Sequence, residues 1–401
     1  MSGKILKLAP WASAAAFFAM SACLVFIFSR QGTLGLFLWQ ADWRTIFLLL
    51  GASALIPGIL FLVASLLSRG GSSPVASVLA WISTGAAAAA LIAGFGLPAY
   101  ILSSSRAVNG PVPGLRLVDP ASGVSGADGV VRLSVSSDPH WNAETSNEAA
   151  RTAMLKSLSS ERPKRDAFFI LGDIVERGMD DGAWHEALAD LSLHLDGIPA
   201  GTIMGNHDAV IDGEYHYKHY LMPKTVKTDS GEPYYYSMRA GNAVIIVLNL
   251  LWGSESFDRR QRAWLERSLA ALPADRQVIV LSHCFFYASG YTSFGVPWYD
   301  HFGTIKDVSP ILEKYGVDLV VSGHNHYMEL LRKNGVTYAV IGAMGGKPDP
   351  EPTYRSPASL WIAQGVFGYL NLDIDESGIA MSFRDKDGAV LKTEFLPSKS
   401  G

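Results

Sequence analysis

The sequence predicts a layered α/β domain carried behind three apolar helical segments, and two observations predict it. Past about residue 130, short apolar runs alternate with helix-length stretches, the element order of sheets covered by helices. Before residue 105, three uncharged stretches, Leu8–Ser29, Thr45–Ser68 and Gly70–Ser105, each exceed the ~20 residues that an α-helix needs to cross a bilayer core. A chain of 401 residues is too long for one core and suits a membrane region followed by a large soluble domain.

The three apolar stretches predict a transmembrane anchor over 1–105. The segment Thr33–Trp39 is too short to cross and, with Trp39 and Trp43 nearby, reads as interfacial. A cleaved signal sequence is the alternative for the first stretch, because Lys4 and Lys7 precede it and Met20-Ser21-Ala22-Cys23 resembles a lipoprotein cleavage box. Leu24–Phe28 nevertheless stay apolar where polar chain should follow a cleavage site. Positive charges favour the cytoplasmic side, and Lys4, Lys7 and Arg69 compete with Arg30, Arg44 and Arg106 on nearly even terms. The two lysines before the first helix favour an inside N-terminus, so three spans leave the soluble domain outside. The spans carry no buried charge, the usual marker of a transport path, and read simply as an anchor.

All but one of the 37 acidic residues but only 28 of the 33 basic ones follow Ser105, so the soluble part is acidic, near −8. A nucleic-acid partner is not expected, since gripping a phosphate backbone needs a basic stripe. Two cysteines, Cys23 and Cys284, define no disulfide framework.

Residues 106–129 are rich in Gly, Pro, Ser and Ala and read as a linker. The domain over 130–401 then opens with a strand at Val130–Ser136, a helix at Thr145–Leu158 and a strand at Ala167–Leu171. A helix at Ala183–Leu195 and a strand at Thr202–Met204 follow. Strands Tyr234–Met238 and Ala243–Leu250 flank Gly241-Asn242, a hairpin signal. Next come helix Asp258–Leu272, strand Gln277–Leu281, helix Ile305–Tyr315 and strand Asp318–Val321. The C-terminal part reads as a β-meander turning at Asn334-Gly335, Ser377-Gly378 and Asp387-Gly388.

Five clusters of metal-ligand residues sit just after these apolar runs: Asp138-Pro139-His140, Gly172-Asp173, Gly205-Asn206-His207-Asp208, His283, and Gly323-His324-Asn325-His326. Open α/β sheets carry their ligand groups in loops at the carboxyl ends of strands. Carboxylate and imidazole donors suit Zn, Fe, Mn or Co, and two such ions ~3.5–4 Å apart lower the pKa of a shared water and clamp an in-line displacement at phosphorus. The residues therefore point to a two-metal hydrolase.

The series Asp-x-His, Gly-Asp, Gly-Asn-His-Asp, His and Gly-His-x-His resembles the calcineurin-like metallophosphoesterases over about residues 130–345. That resemblance implies a four-layer αββα sandwich, two mixed sheets between helices. It also implies two divalent ions, one held by Asp138, His140, Asp173 and His326, the other by Asp173, Asn206, His283 and His324, with Asp173 bridging. His207 then resembles the general acid that protonates the leaving alkoxide, with Asp208 orienting it through its other ring nitrogen.

Gly172-Asp173-Ile174-Val175-Glu176-Arg177-Gly178 also resembles the protein-phosphatase form of the second motif, which makes Arg177 a candidate phosphate-binding residue, with a salt bridge at the surface or behind the ligands as the favoured reading. Glu176 stands in place of that branch's aspartate, Asp208 in place of its glutamate, and no glycine follows His140. Tyr234-Tyr235-Tyr236-Ser237, the helix with Gln261 and Trp264-Leu265, and Tyr338–Gly345 resemble the catalytic domain of purple acid phosphatases. That branch implies a tyrosine where Glu176 stands, so a coloured ferric centre is not expected. His185 and His194 on a helix, and His216, His219 and His301 in aromatic loops, read as packing or surface residues. The aromatic stretches Asp212–Tyr220 and Phe285–Phe302 read as loops that line a substrate, meet lipid headgroups or simply pack against the domain.

The expectation is a membrane-anchored phosphoester hydrolase whose substrate is a small-molecule or lipid phosphoester, with membrane lipid as its other partner. The rival is a metal-binding sensor or scaffold that holds a phosphorylated ligand without turnover. Monoester or diester, metal identity and oligomeric state stay open.

Overall fold

The computed structural model describes residues 2–30, 55–67, 73–104 and 112–399, apart from 212, 223, 224 and 294. The segment Thr33–Trp39, the first part of Thr45–Ser68 and residues 105–111 lie outside these. The chain forms two units, Met1–Arg106 and Ala107–Gly401.

In the first unit, helix Ser2–Arg30 packs against helix Pro74–Ser104. Their contact is built from Ala16, Met20, Ala87 and Ala90, and the Gly94 backbone lies against Ala19. Small residues let helix backbones approach closely. Helix Leu55–Leu67 is tied in by Ser83, whose hydroxyl donates to the Pro57 carbonyl at 2.7 Å. Among the described residues one helix, Pro74–Ser103, is long and apolar enough to cross a membrane, while Trp11–Phe26 and Leu55–Leu67 are shorter apolar helices.

The second unit contains two mixed sheets, as the alternating elements predict. The first holds β1 (Val131–Ser136), β2 (Ala167–Ile170), β3 (Ala200–Thr202), β13 (Gly368–Ile374), β14 (Gly378–Asp385) and β15 (Val390–Pro397). Its order is β15-β14-β13-β1-β2-β3, parallel from β1 to β3 and antiparallel elsewhere.

The second sheet holds β4 (Tyr236–Ala240), β5 (Ala243–Val247), β6 (Gln277–Ser282), β9 (Leu319–Ser322), β10 (Met328–Lys333), β11 (Val336–Ile341) and β12 (Ser359–Ala363), in the order β12-β10-β11-β9-β6-β5-β4. The central strands β6, β9 and β11 are buried along their whole length, which is why their sequences are continuous apolar runs rather than alternating ones. Helices Arg259–Ala270 and Ser309–Lys314 cover this sheet through Trp264, Leu265, Leu269, Ile311 and Leu312.

Several expectations change. The C-terminal strands are not one meander, because β10, β11 and β12 join the second sheet and β13, β14 and β15 the first. The helix expected over Ile305–Tyr315 is two helices, Phe302–Asp307 and Ser309–Lys314, broken at Val308 where Pro310 supplies no N–H for a continuous ladder. The aromatic stretch Asp212–Tyr220 contains helix Gly213–Tyr220, so His216 and His219 are helical rather than in a loop. Phe285–Phe302 contains a two-stranded hairpin, β7 (Tyr291–Ser293) with β8 (Val296–Trp298). The stretch read as a linker also makes contacts: Leu117 bridges to Ala200 of β3 and Val124 to Ala240 of β4.

Candidate metal centre

Each ligand cluster follows the carboxyl end of a strand: Asp138 and His140 after β1, Asp173 after β2, Asn206 and His207 after β3, His283 after β6, His324 and His326 after β9. Three loops come from one sheet and two from the other, so the centre lies where the two sets of strand ends converge. The loops fit tightly: a Cβ on Gly205 would meet Asp173 Oδ1 at 2.2 Å, and one on Gly172 would meet Gly205 and His283 at 2.7 Å. Asp138, His140, Asp173 and His324 all have positive φ, between 47° and 69°. Such backbone strain, ~1–3 kcal/mol per residue, is tolerated where surrounding contacts fix it and is concentrated at functional sites.

The donors form three overlapping groups, of which the middle one, His140, Asp173 and His207, links the other two. In one of those two, His326 Nε2 lies 3.3 Å from Asp138 Oδ1 and 3.3 Å from His140 Nε2. In the other, His283 Nε2 lies 3.0 Å from His324 Nδ1, 2.9 Å from Asn206 Oδ1 and 3.4 Å from Asp173 Oδ1. Asp173 stands between, its other oxygen 3.7 Å from His140 Nε2. All seven residues expected as ligands are thus brought together.

The tautomers decide what this arrangement wants. His283 Nδ1 donates to the Leu171 carbonyl at 2.8 Å and His326 Nδ1 to the Lys347 carbonyl at 2.6 Å, and a carbonyl can only accept. His140 Nδ1 is held at 2.8 Å by the Glu176 carboxylate. With Nδ1 committed as the donor in each ring, Nε2 is the atom that faces inward, where it takes either a proton or a cation. Asp138 Oδ1 is buried without a hydrogen-bond donor. Burial pulls the His283 and His326 pKa values down, but Asp173 beside the first and Asp138 beside the second more than reverse this, to about 9 and about 10. The protein alone leaves the site short of positive charge, and the donor set fits two divalent metal ions.

His207 is about one-third exposed. Its backbone N–H donates to Asp173 Oδ1 at 2.8 Å, and its ring packs edge-on to His140 at 4.7 Å between centroids. Burial alone lowers its pKa, yet the Asp173 and Glu176 carboxylates outweigh it and the net direction is up. The expected Asp208 partnership is corrected. Fully buried Asp208 accepts from the backbone N–H groups of Val175 at 3.0 Å and Gly205 at 2.9 Å, tying the second and third ligand loops together. Burial, then the Asp173 carboxylate, push its own carboxyl up to about 7. His207 Nδ1 is held instead by Glu176, whose backbone carbonyl accepts at 2.9 Å and whose carboxylate lies 3.6 Å away. Arg177 is exposed.

Three supporting residues went unread in the sequence. Glu176 registered only as a departure from two motif patterns. Arg151, buried under the first loop, donates to the Pro139 carbonyl at 3.1 Å and lies 4.5 Å over the Trp141 ring. Asp349 accepts from the His326 backbone N–H at 2.8 Å. Helical periodicity gives no sign that Arg151 turns inward, and Asp349 lies in an irregular segment. His185, His194, His216, His219 and His301 join none of the donor groups among the described residues, as expected.

A family model described as calcineurin-like phosphoesterase matches residues 131–328. The chain is similar to tartrate-resistant acid phosphatase type 5 of Oryctolagus cuniculus, with 29% identity over 153 residues, and spans 44% of that protein's length and 35% of its own. The rat protein of the same name is 26% identical over 296 residues, covering 65% of this chain and 86% of that one. A purple acid phosphatase structure from yellow lupin (Lupinus luteus) superposes with a TM-score of 0.58 at 19% identity, covering 70% of this chain and 55% of that one.

Proposed function

Because residues 131–328 belong to the calcineurin-like phosphoesterase family, we propose that this chain hydrolyses phosphoesters with two divalent metal ions in the centre described above. The observation that carries the proposal is the set of three overlapping donor groups joined through His140 and Asp173, with His207 in the middle one. Similarity to acid phosphatases supports the same reaction class. When bound, such ions lower the pKa of a water and offset the charge of phosphoryl oxygens.

The chain's own groups supply the rest. Asp138, His140 and His326 would hold one ion, Asn206, His283 and His324 the other, and Asp173 both. His207 keeps Nδ1 on the Glu176 carbonyl, so Nε2 is the atom available to hand a proton to a departing alkoxide. That handover is the step which a sensor or scaffold does not need.

The domain is read as a four-layer sandwich with the two sheets inside. The anchor is read as three spans with the domain facing outward, supported by the apolar helix Pro74–Ser103 and by Lys4 and Lys7 ahead of the first. A domain so placed would meet lipid headgroups or exported small-molecule phosphoesters.

The test is cleavage of p-nitrophenyl phosphate and bis(p-nitrophenyl) phosphate by the detergent-purified full chain, supplied with Mn or Zn and then stripped by chelator. Turnover lost on stripping and restored by metal is expected. A metal-loaded protein that binds phosphate esters without cleaving any is the scaffold.

A further inference from the structure

We infer that the outer face of the first sheet carries a second site, separate from the metal centre, which holds the phosphate group of a phosphorylated ligand through Arg162 and Arg384. The site is independent of the proposed reaction.

The strands dictate its shape, because successive side chains of a strand point to opposite faces of a sheet. On β13 and β14, Leu372, Met381 and Phe383 fill the core, so Asn371, Asp373, Ser382 and Arg384 take the other face. Pairing sets Asn371, Ser382 and Thr393 in one row across β13, β14 and β15, and Asp373, Ala380 and Phe395 in the next. The segment that follows helix Glu148–Ser160 stands over these rows: Glu161 accepts from Asn371 at 2.8 Å, and Arg165 Nη1 lies 2.7 Å from Asp373. Sheet and segment line a cavity of about 630 Å³, within the range of small-molecule sites.

Four arginines, Arg132, Arg162, Arg165 and Arg384, line the cavity against three carboxylates, Glu161, Asp373 and Glu394. The carboxylates already have partners. Glu161 takes hydrogen bonds from Tyr369 and Asn371, Asp373 is paired with Arg165, and Glu394 with Arg332 at 3.1 Å. Two of the arginines are committed as well. Arg132 gives both Nη atoms to Asp128, at 2.8 and 2.7 Å, and buried Arg165 serves Asp373 and the Leu133 and Leu372 carbonyls. Arg162 and Arg384 differ. Nη1 of the first donates to the Ser159 and Glu161 carbonyls and Nη1 of the second to the Gly388 carbonyl, but Nη2 of neither makes a hydrogen bond among the described residues. Arg384 Nε lies 3.7 Å from Glu161 Oε1, and neither it nor the Ser382 hydroxyl has a hydrogen-bond partner.

These unused donors select the ligand. Two guanidinium forks, one on the sheet and one on the segment above it, suit an anion with more oxygens than the two of a carboxylate, and Arg–phosphate contacts are strong because they are charge-assisted and often bidentate. The cavity is larger than a bare oxyanion needs. Ala380 and Phe395, the latter 49% exposed, give the remaining volume an apolar lining for the ligand's organic part. The chemistry lies elsewhere: Arg132 opens β1 and Arg165 precedes β2, whereas Asp138 and Asp173 follow the other ends of the same strands. A phosphate group held here is bound without being cleaved.

Calorimetric titration of the metal-loaded, detergent-purified full chain with orthophosphate should find one site besides the centre. Arg384→Ala and, separately, Arg162→Ala, a change at an exposed residue, should each weaken that site about tenfold, the scale of one lost charge-assisted contact, and leave turnover of bis(p-nitrophenyl) phosphate unchanged. Asp173→Asn, which should empty the centre, should keep it. Acetate should not displace the phosphate. Repeating the titration in nanodiscs separates the sources of the phosphate group. Phosphatidic acid in the bilayer should block the site if a lipid headgroup is the ligand, and should leave it as open to orthophosphate as phosphatidylcholine alone does if the ligand is soluble. Phosphate binding unchanged in both arginine variants, or displacement by acetate, would overturn the inference. A wild type that cleaves no ester would instead remove the phosphoesterase reading, with this site still judged by titration.

Discussion

The backbone carbonyl of Glu176 accepts the Nδ1 hydrogen of His207 at 2.9 Å, while the carboxylate of the same residue accepts from His140 Nδ1 at 2.8 Å. One residue therefore sets the tautomers of a proposed metal ligand and of the proposed proton donor. The imidazole next to a metal is routinely steadied in this way, and such outer partners matter nearly as much as the ligands.

Replacing Glu176 with Ala should weaken metal binding about 10–100-fold, the usual cost of removing an outer partner of a ligating histidine. Glu176→Gln keeps an amide oxygen for His140 and should recover much of that loss. Competition with a fluorescent chelator measures both variants, and unchanged affinity in Glu176→Ala would remove the positioning role.

His207→Ala should keep its metal yet slow alkyl esters about 10²–10⁴-fold, the range a general acid supplies, and slow aryl esters much less because aryl oxides leave without a proton. Steady-state rates on a matched alkyl and aryl pair decide it. Equal losses on both would point to a binding role.

Asp173 offers one oxygen to each donor group, so Asp173→Asn should release both ions together and abolish turnover. Elemental analysis of the purified variant is the check. Two ions at full occupancy would contradict the bridging assignment.

Asp208→Ala should act on stability. Its loss leaves two backbone N–H groups without acceptors, which costs about 2–4 kcal/mol if neither is rescued by water. Thermal unfolding in the presence of excess metal should show a lowered midpoint. An unchanged midpoint with impaired catalysis would return Asp208 to the His207 partnership that sequence suggests.

Protease added to intact cells or spheroplasts should release a fragment close in size to the second unit if the domain faces outward. Cleavage that appears only after the inner membrane is opened would place the domain inside and exclude exported substrates.

The candidate donors were legible because the five clusters follow apolar runs in an order that resembles the calcineurin-like phosphoesterases, and glycines flank several of them. Asp173 and His283 could be placed from this pattern. Asp208 shows the limit: it follows His207 directly, but strand-end geometry turns its side chain towards Gly205 and Val175. Glu176 was visible only as a mismatch, since its role depends on a reach of 36 residues back to His140 and 31 forward to His207. The β7–β8 hairpin escaped notice because its strands are three residues each, too short for a periodicity to show. The division of the C-terminal strands between two sheets is likewise a matter of long-range pairing, on which local turn signals are silent.

The contacts of Leu117 with β3 and of Val124 with β4 have a practical consequence, because β3 and β4 are the terminal strands of their respective sheets. Val118 donates to the Ala200 carbonyl at 2.9 Å, Ala200 to the Arg116 carbonyl at 2.8 Å, and Val124 to the Arg239 carbonyl at 2.8 Å. A short polar stretch thus shields two open rims of hydrogen-bonding groups. A chain trimmed to begin at Val130 would bare both rims at once and invite strand-to-strand aggregation, whereas one retaining residues from 112 onward should stay monodisperse.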